Sequence, residues 1–123
     1  MQRFAILRHH PGPNSTRPLH WDLMFEHGDV LRTFASLEEP TAGHSLHVDQ
    51  LDDHRLDYLD YEGSVSCGRG DVSQWDVGDF QVLEESPGQW LLDLRGRRWK
   101  GRVRFAAGAD HRWMITFDGP ASD

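Results

Sequence analysis

Hydrophobic and polar residues alternate with period two over much of this chain, the spacing of β-strands with two unlike faces. Leu19-His20-Trp21-Asp22-Leu23-Met24-Phe25-Glu26 shows it best, with Trp21, Leu23 and Phe25 on one side and His20, Asp22 and Glu26 on the other. Arg3 to Leu7 is a further strand-like run, and the prolines and glycine of His10 to Ser15 then require a loop. His27-Gly28-Asp29 reads as a hairpin turn that returns the chain antiparallel through Val30 to Ala35. Leu46-His47-Val48 is a brief strand, and a single helical turn is expected near Val48–Leu56.

A meander follows, with strands expected at Asp71–Trp75, Phe80–Leu83, Trp90–Leu94, Trp99–Phe105 and Trp113–Phe117. Val77-Gly78, Pro87-Gly88, Arg95-Gly96 and Gly108-Ala109 supply its turns. In Trp99–Phe105 the residues Trp99, Gly101, Val103 and Phe105 alternate with Lys100, Arg102 and Arg104, one buried face against one basic face. No segment carries a sustained helical period. The fold expected is mostly β, a small antiparallel β-barrel of about eight short strands with little helix. A single domain over residues 1–123 is consistent with the length and the absence of linkers or repeats.

Composition narrows the function classes. A net charge of −7 argues against nucleic-acid binding through bulk electrostatics, so contact with a phosphodiester needs a local basic patch or a metal ion. The single Cys67 excludes an internal disulfide framework and a cysteine-based zinc site. No apolar stretch has membrane-spanning length and no signal-peptide segment opens the chain, so a cytoplasmic protein away from membranes is expected. A monomer is the expected state, which the sequence does not itself settle.

Eight histidines are many for this length, and several fall near acids. His20 and Asp22 share a strand face about 7 Å apart, within common reach of one divalent cation. His9 or His10, at the end of the preceding run, offers a third ligand. The alternative is a surface strand whose polar face meets only water. A second concentration, Leu51 to Gly63, holds His54, Arg55 and Tyr58, which could supply a proton donor, a phosphate clamp and an orienting hydroxyl. Its alternative is a solvated acidic turn with tyrosines packed beneath. Asn14-Ser15-Thr16, Arg69-Gly70-Asp71 and Gly68-Arg69-Gly70 lack the context that would give them meaning, and Cys67 has only Arg69 as a cationic neighbour.

In order, these pieces resemble the 3′-phosphoesterase domain of bacterial ATP-dependent DNA ligase D. Phe4-Ala5-Ile6-Leu7-Arg8-His9 is similar to that family's opening strand, and Leu19-His20-Trp21-Asp22-Leu23-Met24 to its Leu-His-Tyr-Asp-Phe-Arg. Asp29 to Ala35 resembles Gly-Val-Leu-Lys-Ser-Trp-Ala. Asp52 to Tyr58 resembles Glu-Asp-His-Pro-Leu-Asp-Tyr, Tyr61-Glu62-Gly63 resembles Phe-Glu-Gly, and Trp75-Asp76-Val77-Gly78 matches Trp-Asp-x-Gly. The resemblance implies a compact barrel holding one divalent metal, Mn²⁺ foremost with Zn²⁺ as the other candidate. It implies removal of 3′-phosphates or 3′-ribonucleosides from DNA or DNA–RNA primer ends, with a separate ligase or polymerase as a potential partner. His9, His20 and Asp22 would be the ligands, His54 and Tyr58 would contact the scissile phosphate, and Arg32 would bind substrate phosphate, while Arg55, where the family has proline, or Arg69 would stand in for arginines that this chain lacks.

The chain departs from the pattern at two arginine positions and in one loop. Met24 stands where the motif ends in arginine, and Leu46 where a second family arginine falls. An insertion between Pro11 and Arg17 lengthens the spacing from His9 to His20 and keeps His10 as a rival ligand. A metal-dependent phosphoesterase and a metal-stabilised module that binds nucleic-acid ends or a repair partner without turnover both remain open here.

Overall fold

The computed structural model describes residues 2–40, 45–65 and 70–117. Its strands are β1 (Gln2–Pro11), β2 (His20–His27), β3 (Val30–Ser36), β4 (Ser45–Gln50), β5 (His54–Arg55), β6 (Gly63–Val65), β7 (Gly70–Ser86), β8 (Gln89–Gly96), β9 (Lys100–Ala107) and β10 (Arg112–Phe117). Among the described residues the one helical element is a 3₁₀ turn, Leu56–Asp60. Eight strands form a closed antiparallel barrel in the order β1-β2-β3-β4-β10-β9-β8-β7, with β7 returning to β1. Strands β5 and β6 lie outside the ring as short additions to β3 and β7.

Alternation sorts the side chains as the sequence predicts. Phe4, Ile6, Trp21, Leu23, Phe25 and Phe34 point into the barrel and join the aromatic residues of β7, β8 and β9. Phe25 is the hub: Phe80, Trp90 and Phe105 present edges to it at centroid distances of 5.6, 5.7 and 5.3 Å. Strand β9 buries Gly101, Val103 and Phe105 and exposes Lys100, Arg102 and Arg104, so its basic face looks outward.

The outer face of β1–β3 is not solvated throughout. Ala5, Leu7, Met24 and Leu31 form a second apolar cluster there with Leu59 and Val72, and Leu56, Tyr58 and Tyr61 pack over it. The 3₁₀ turn is therefore a roof over these strands, tied to β1 by the Arg3–Asp60 ion pair at 2.8 Å.

Three expectations are corrected. Strand β1 runs on through His10 and Pro11, expected in the loop, because both pair with β7. The helical turn expected near Val48–Leu56 lies instead at Leu56–Asp60, after β4 and β5. Asp71–Trp75 and Phe80–Leu83 are one strand, β7, because Val77-Gly78 is not a turn. Gly78 marks a close approach: a Cβ there would stand 2.1 Å from the Arg95 carbonyl oxygen of β8. Asp76 serves the neighbouring hairpin. Its buried carboxylate accepts backbone N–H groups from Arg97, Arg98 and Trp99 at 2.7, 3.1 and 2.8 Å, pinning the β8–β9 turn.

Candidate functional site

Strands β1 and β2 carry the first half of the site. His9 lies directly opposite His20, and Leu7 opposite Asp22. Since Leu7 belongs to the outer apolar cluster, alternation places His9, His20 and Asp22 together on the outer face of the barrel. The two imidazoles stack with centroids 4.7 Å apart and planes inclined by 16°. His10 also belongs to β1, but it alternates to the other face and stands opposite Asp71 of β7.

The polar atoms of this group are desolvated. His20 is only 1% exposed. Its Nδ1 is 3.0 Å from the Pro18 carbonyl oxygen, so this nitrogen carries the proton and Nε2 presents a lone pair. That lone pair faces Asp22 Oδ1 at 3.4 Å. His20 Nε2, Asp22 Oδ1 and His9 Nδ1 are all buried and have no hydrogen-bond partner. Two buried acceptors turned on one another repel unless a cation or a proton joins them. Burial pushes the His9 imidazole below its ordinary value, the neighbouring His20 ring adds to this, Asp22 opposes it, and the Arg17 guanidinium depresses it further. Neutral imidazole is the form that ligates a metal.

Two neutral imidazoles and a carboxylate suit Mn²⁺ or Zn²⁺, so the donor chemistry fits a divalent ion. Among the described residues, no three His, Cys, Asp or Glu side chains are already arranged as a closed ligand set.

The second half of the site belongs to the roof. His54 of β5 pairs with Leu31 of β3, and its ring meets the edge of Tyr58 at 5.5 Å. His54 Nδ1 lies 2.9 Å from the Asp52 carbonyl oxygen, which leaves Nε2 as its free nitrogen. The Arg55 guanidinium is 5.9 Å from the centre of the Tyr58 ring. Tyr58 packs on the cluster containing Leu7 and Met24, so His54, Arg55 and Tyr58 share the outer face of β1–β3 with His9, His20 and Asp22.

Arg32 does not join them. It alternates with the outward-facing Leu31 and Thr33, stands opposite the core residue Phe25, and lies over Trp90 at 4.6 Å. A basic residue in a period-two strand faces whichever side its register dictates, and here that is a cleft bordered by Trp90 and Trp113. Met24 is 1% exposed within the outer cluster, and Leu46 is buried in the barrel core. Both positions that lack the arginine are apolar packing positions. Arg17 was missed because it sits in the inserted loop, and the signal for it is only its place three residues before His20. Cys67, Gly68 and Arg69 lie outside the described residues.

A family model described as the DNA ligase D 3′-phosphoesterase domain matches residues 9–107. The chain belongs to that family. The match of this phosphoesterase domain runs from His9 through His20, Asp22, His54 and Tyr58 to the end of β9. The chain is 33% identical to the multifunctional non-homologous end joining protein LigD of Mycolicibacterium smegmatis over 129 aligned residues, covering 91% of this chain and 16% of that protein. It is 30% identical to the protein of the same name from Pseudomonas aeruginosa over 108 residues, covering 80% of this chain and 13% of that one. The phosphoesterase domain thus corresponds to a small part of each relative.

Proposed function

We propose that this phosphoesterase domain processes 3′ ends of nucleic acid in DNA end joining, removing a 3′-phosphate or a 3′-ribonucleoside with the help of one divalent metal ion. The observation that carries the proposal is the His20 Nε2–Asp22 Oδ1 contact: two buried acceptors 3.4 Å apart, without a donor, beside a His9 Nδ1 that also has no hydrogen-bond partner. His9, His20 and Asp22 would hold the ion, Mn²⁺ foremost and Zn²⁺ as the other candidate. Once bound, the ion supplies Lewis-acid polarisation of a phosphoryl oxygen and a bound water of lowered pKa.

The remaining work falls to the roof. His54 has Nδ1 committed to the Asp52 carbonyl, so Nε2 is the atom that can carry a proton towards a leaving oxygen. Tyr58 fixes the imidazole edge-on and brings a hydroxyl to the same face. Arg55 and Arg17, both exposed, are the cations that can meet substrate phosphate in the absence of arginine at Met24. A separate ligase or polymerase would then take up the trimmed end.

Incubation of the purified protein with Mn²⁺ and a primer ending in 3′-phosphate or a ribonucleotide tests the proposal. Trimmed product is expected from the wild type and none from His20→Ala. No product from the wild type, with His20→Ala indistinguishable from it, removes the activity. The apolar burial of Met24 and Leu46 favours a second reading, a module that binds metal and nucleic-acid ends without turnover. Metal uptake in calorimetry with no product would select it.

A further inference from the structure

Six of the chain's thirteen Lys and Arg residues fall between Arg95 and Arg104, a stretch with no acidic residue in a chain of net charge −7. The β8–β9 hairpin displays them together. Arg95 stands opposite Lys100, and Arg102 follows two residues on along the same outer face. Arg97 and Arg98 occupy the turn, and all five are exposed. Among the described residues, no ion pair engages Arg95, Arg97, Lys100 or Arg102, although Asp93 stands opposite Arg102 and Asp79 opposite Arg95.

The surface is built rather than incidental. Asp76 pins the turn through the three backbone N–H groups of Arg97, Arg98 and Trp99. The Arg98 guanidinium lies over Trp75, 4.4 Å from its ring centre, and Trp75 in turn donates to Glu39 at 3.3 Å. The turn also sits at a telling end of the barrel. Pairing of β7 with β8 stops at Gly78–Gly96, while β7 runs on along β1 as far as the Val72–His9 pair and beyond. The basic turn thus reaches towards the barrel end that carries His9 and His20, with β7 between them.

We infer that the β8–β9 hairpin is the docking surface for the phosphodiester backbone of the strand whose end is processed. This rests on the function proposed above and assigns that function its electrostatic footing, which the net charge denies to the rest of the chain. Arginine forks and one ammonium at period-two spacing, about 6.6 Å apart, contact phosphates without reading bases. An acidic protein segment would be drawn to the same charges, but its carboxylates have no fixed spacing, whereas a phosphodiester backbone sets an oxyanion at every nucleotide along this arginine-rich row.

The test uses a fluorescein-labelled oligothymidine in EDTA, so that binding is read by anisotropy without any turnover. Replacing Arg97, Lys100 and Arg102 together by alanine should weaken binding about tenfold or more at low salt and flatten the salt dependence of log K by about 2, three single-strand phosphate contacts' worth. Arg112→Ala, on β10 beside Asp49, should leave both unchanged, and His20→Ala should bind like the wild type while losing activity. Lys100 is the only lysine, so protection of its amine from acetylation by bound oligonucleotide reads the surface in the unmutated chain. The inference is overturned if the wild type does not bind, if the triple variant keeps wild-type affinity and slope, if Lys100 is not protected, or if polyglutamate competes as well as oligothymidine. None of these outcomes depends on whether the protein hydrolyses anything.

Discussion

His20 Nε2 and Asp22 Oδ1 face each other at 3.4 Å on the outside of β2, with the His20 proton held on the opposite nitrogen by the Pro18 carbonyl. The pair is incomplete as it stands, and what completes it can be read out in stability. Asp22→Asn places an amide donor against Nε2 at nearly unchanged volume. The metal-free variant is expected to match or exceed the wild type by up to about 1 kcal/mol. Mn²⁺ should raise the melting temperature of the wild type, by the equivalent of about 2.7 kcal/mol at a hundredfold excess over Kd, and leave the variant unmoved. Parallel thermal melts with and without metal check both halves.

The His9 imidazole should titrate below the ordinary histidine value, because burial, the neighbouring His20 and the Arg17 charge disfavour its protonation more than Asp22 favours it. A histidine with its folded pKa depressed binds fewer protons than in the unfolded chain. Its contribution to stability is therefore complete above about pH 6.5 and is lost as the pH falls from there through the folded value. NMR titration of the His9 ring in the metal-free protein, alongside its Arg17→Ala variant, measures this. The variant's His9 pKa should move upward.

Asp76→Ala removes the acceptor for three hydrogen bonds from the β8–β9 turn. Bonds to a charged group contribute about 1.5–3 kcal/mol each, not additively, so a loss of several kcal/mol is expected in denaturant melts. Gly96→Ala attacks the same joint from the other side. Its Cβ would meet Asp76 Oδ2 at 2.5 Å and Phe4 Cζ at 2.7 Å, and both are held in place. Both variants should also broaden the amide signals of Arg97 and Arg98.

Phe25→Ala empties the hub of the barrel, where at least three aromatic edges converge. A cost of about 3–5 kcal/mol is expected, read as a lower urea midpoint at unchanged slope.

Most of the barrel was legible in the sequence because strict alternation declares both the strand and its buried face. The hairpin at Gly28 and the two-sided β9 show this most clearly. Long-range decisions were not legible. Gly78 looks the same in sequence whether it ends a strand or lets Arg95 of the next one approach, so β7 was divided in two. The candidate site was legible as a set of residue types, and that His9, His20 and Asp22 share one outer face with His54 and Tyr58 follows from register and the 3₁₀ roof. Arg32 shows the limit. The family resemblance assigned it a phosphate contact, but the phase of β3 turns it towards Trp90. Met24 shows another: only the roof of Leu56, Leu59 and Tyr58 explains an apolar residue between Asp22 and Glu26.

The closure of β1 onto β7 governs how this protein can be assembled. Gln2 finds its partner only at Phe80, so the first strand must wait with one flank open until the middle of the chain has been delivered. Contacts so distant along the chain make folding slow. They also make any fragment that stops short of Gly70 a sticky one, since the long strand β1 would then offer its unpaired edge to other molecules.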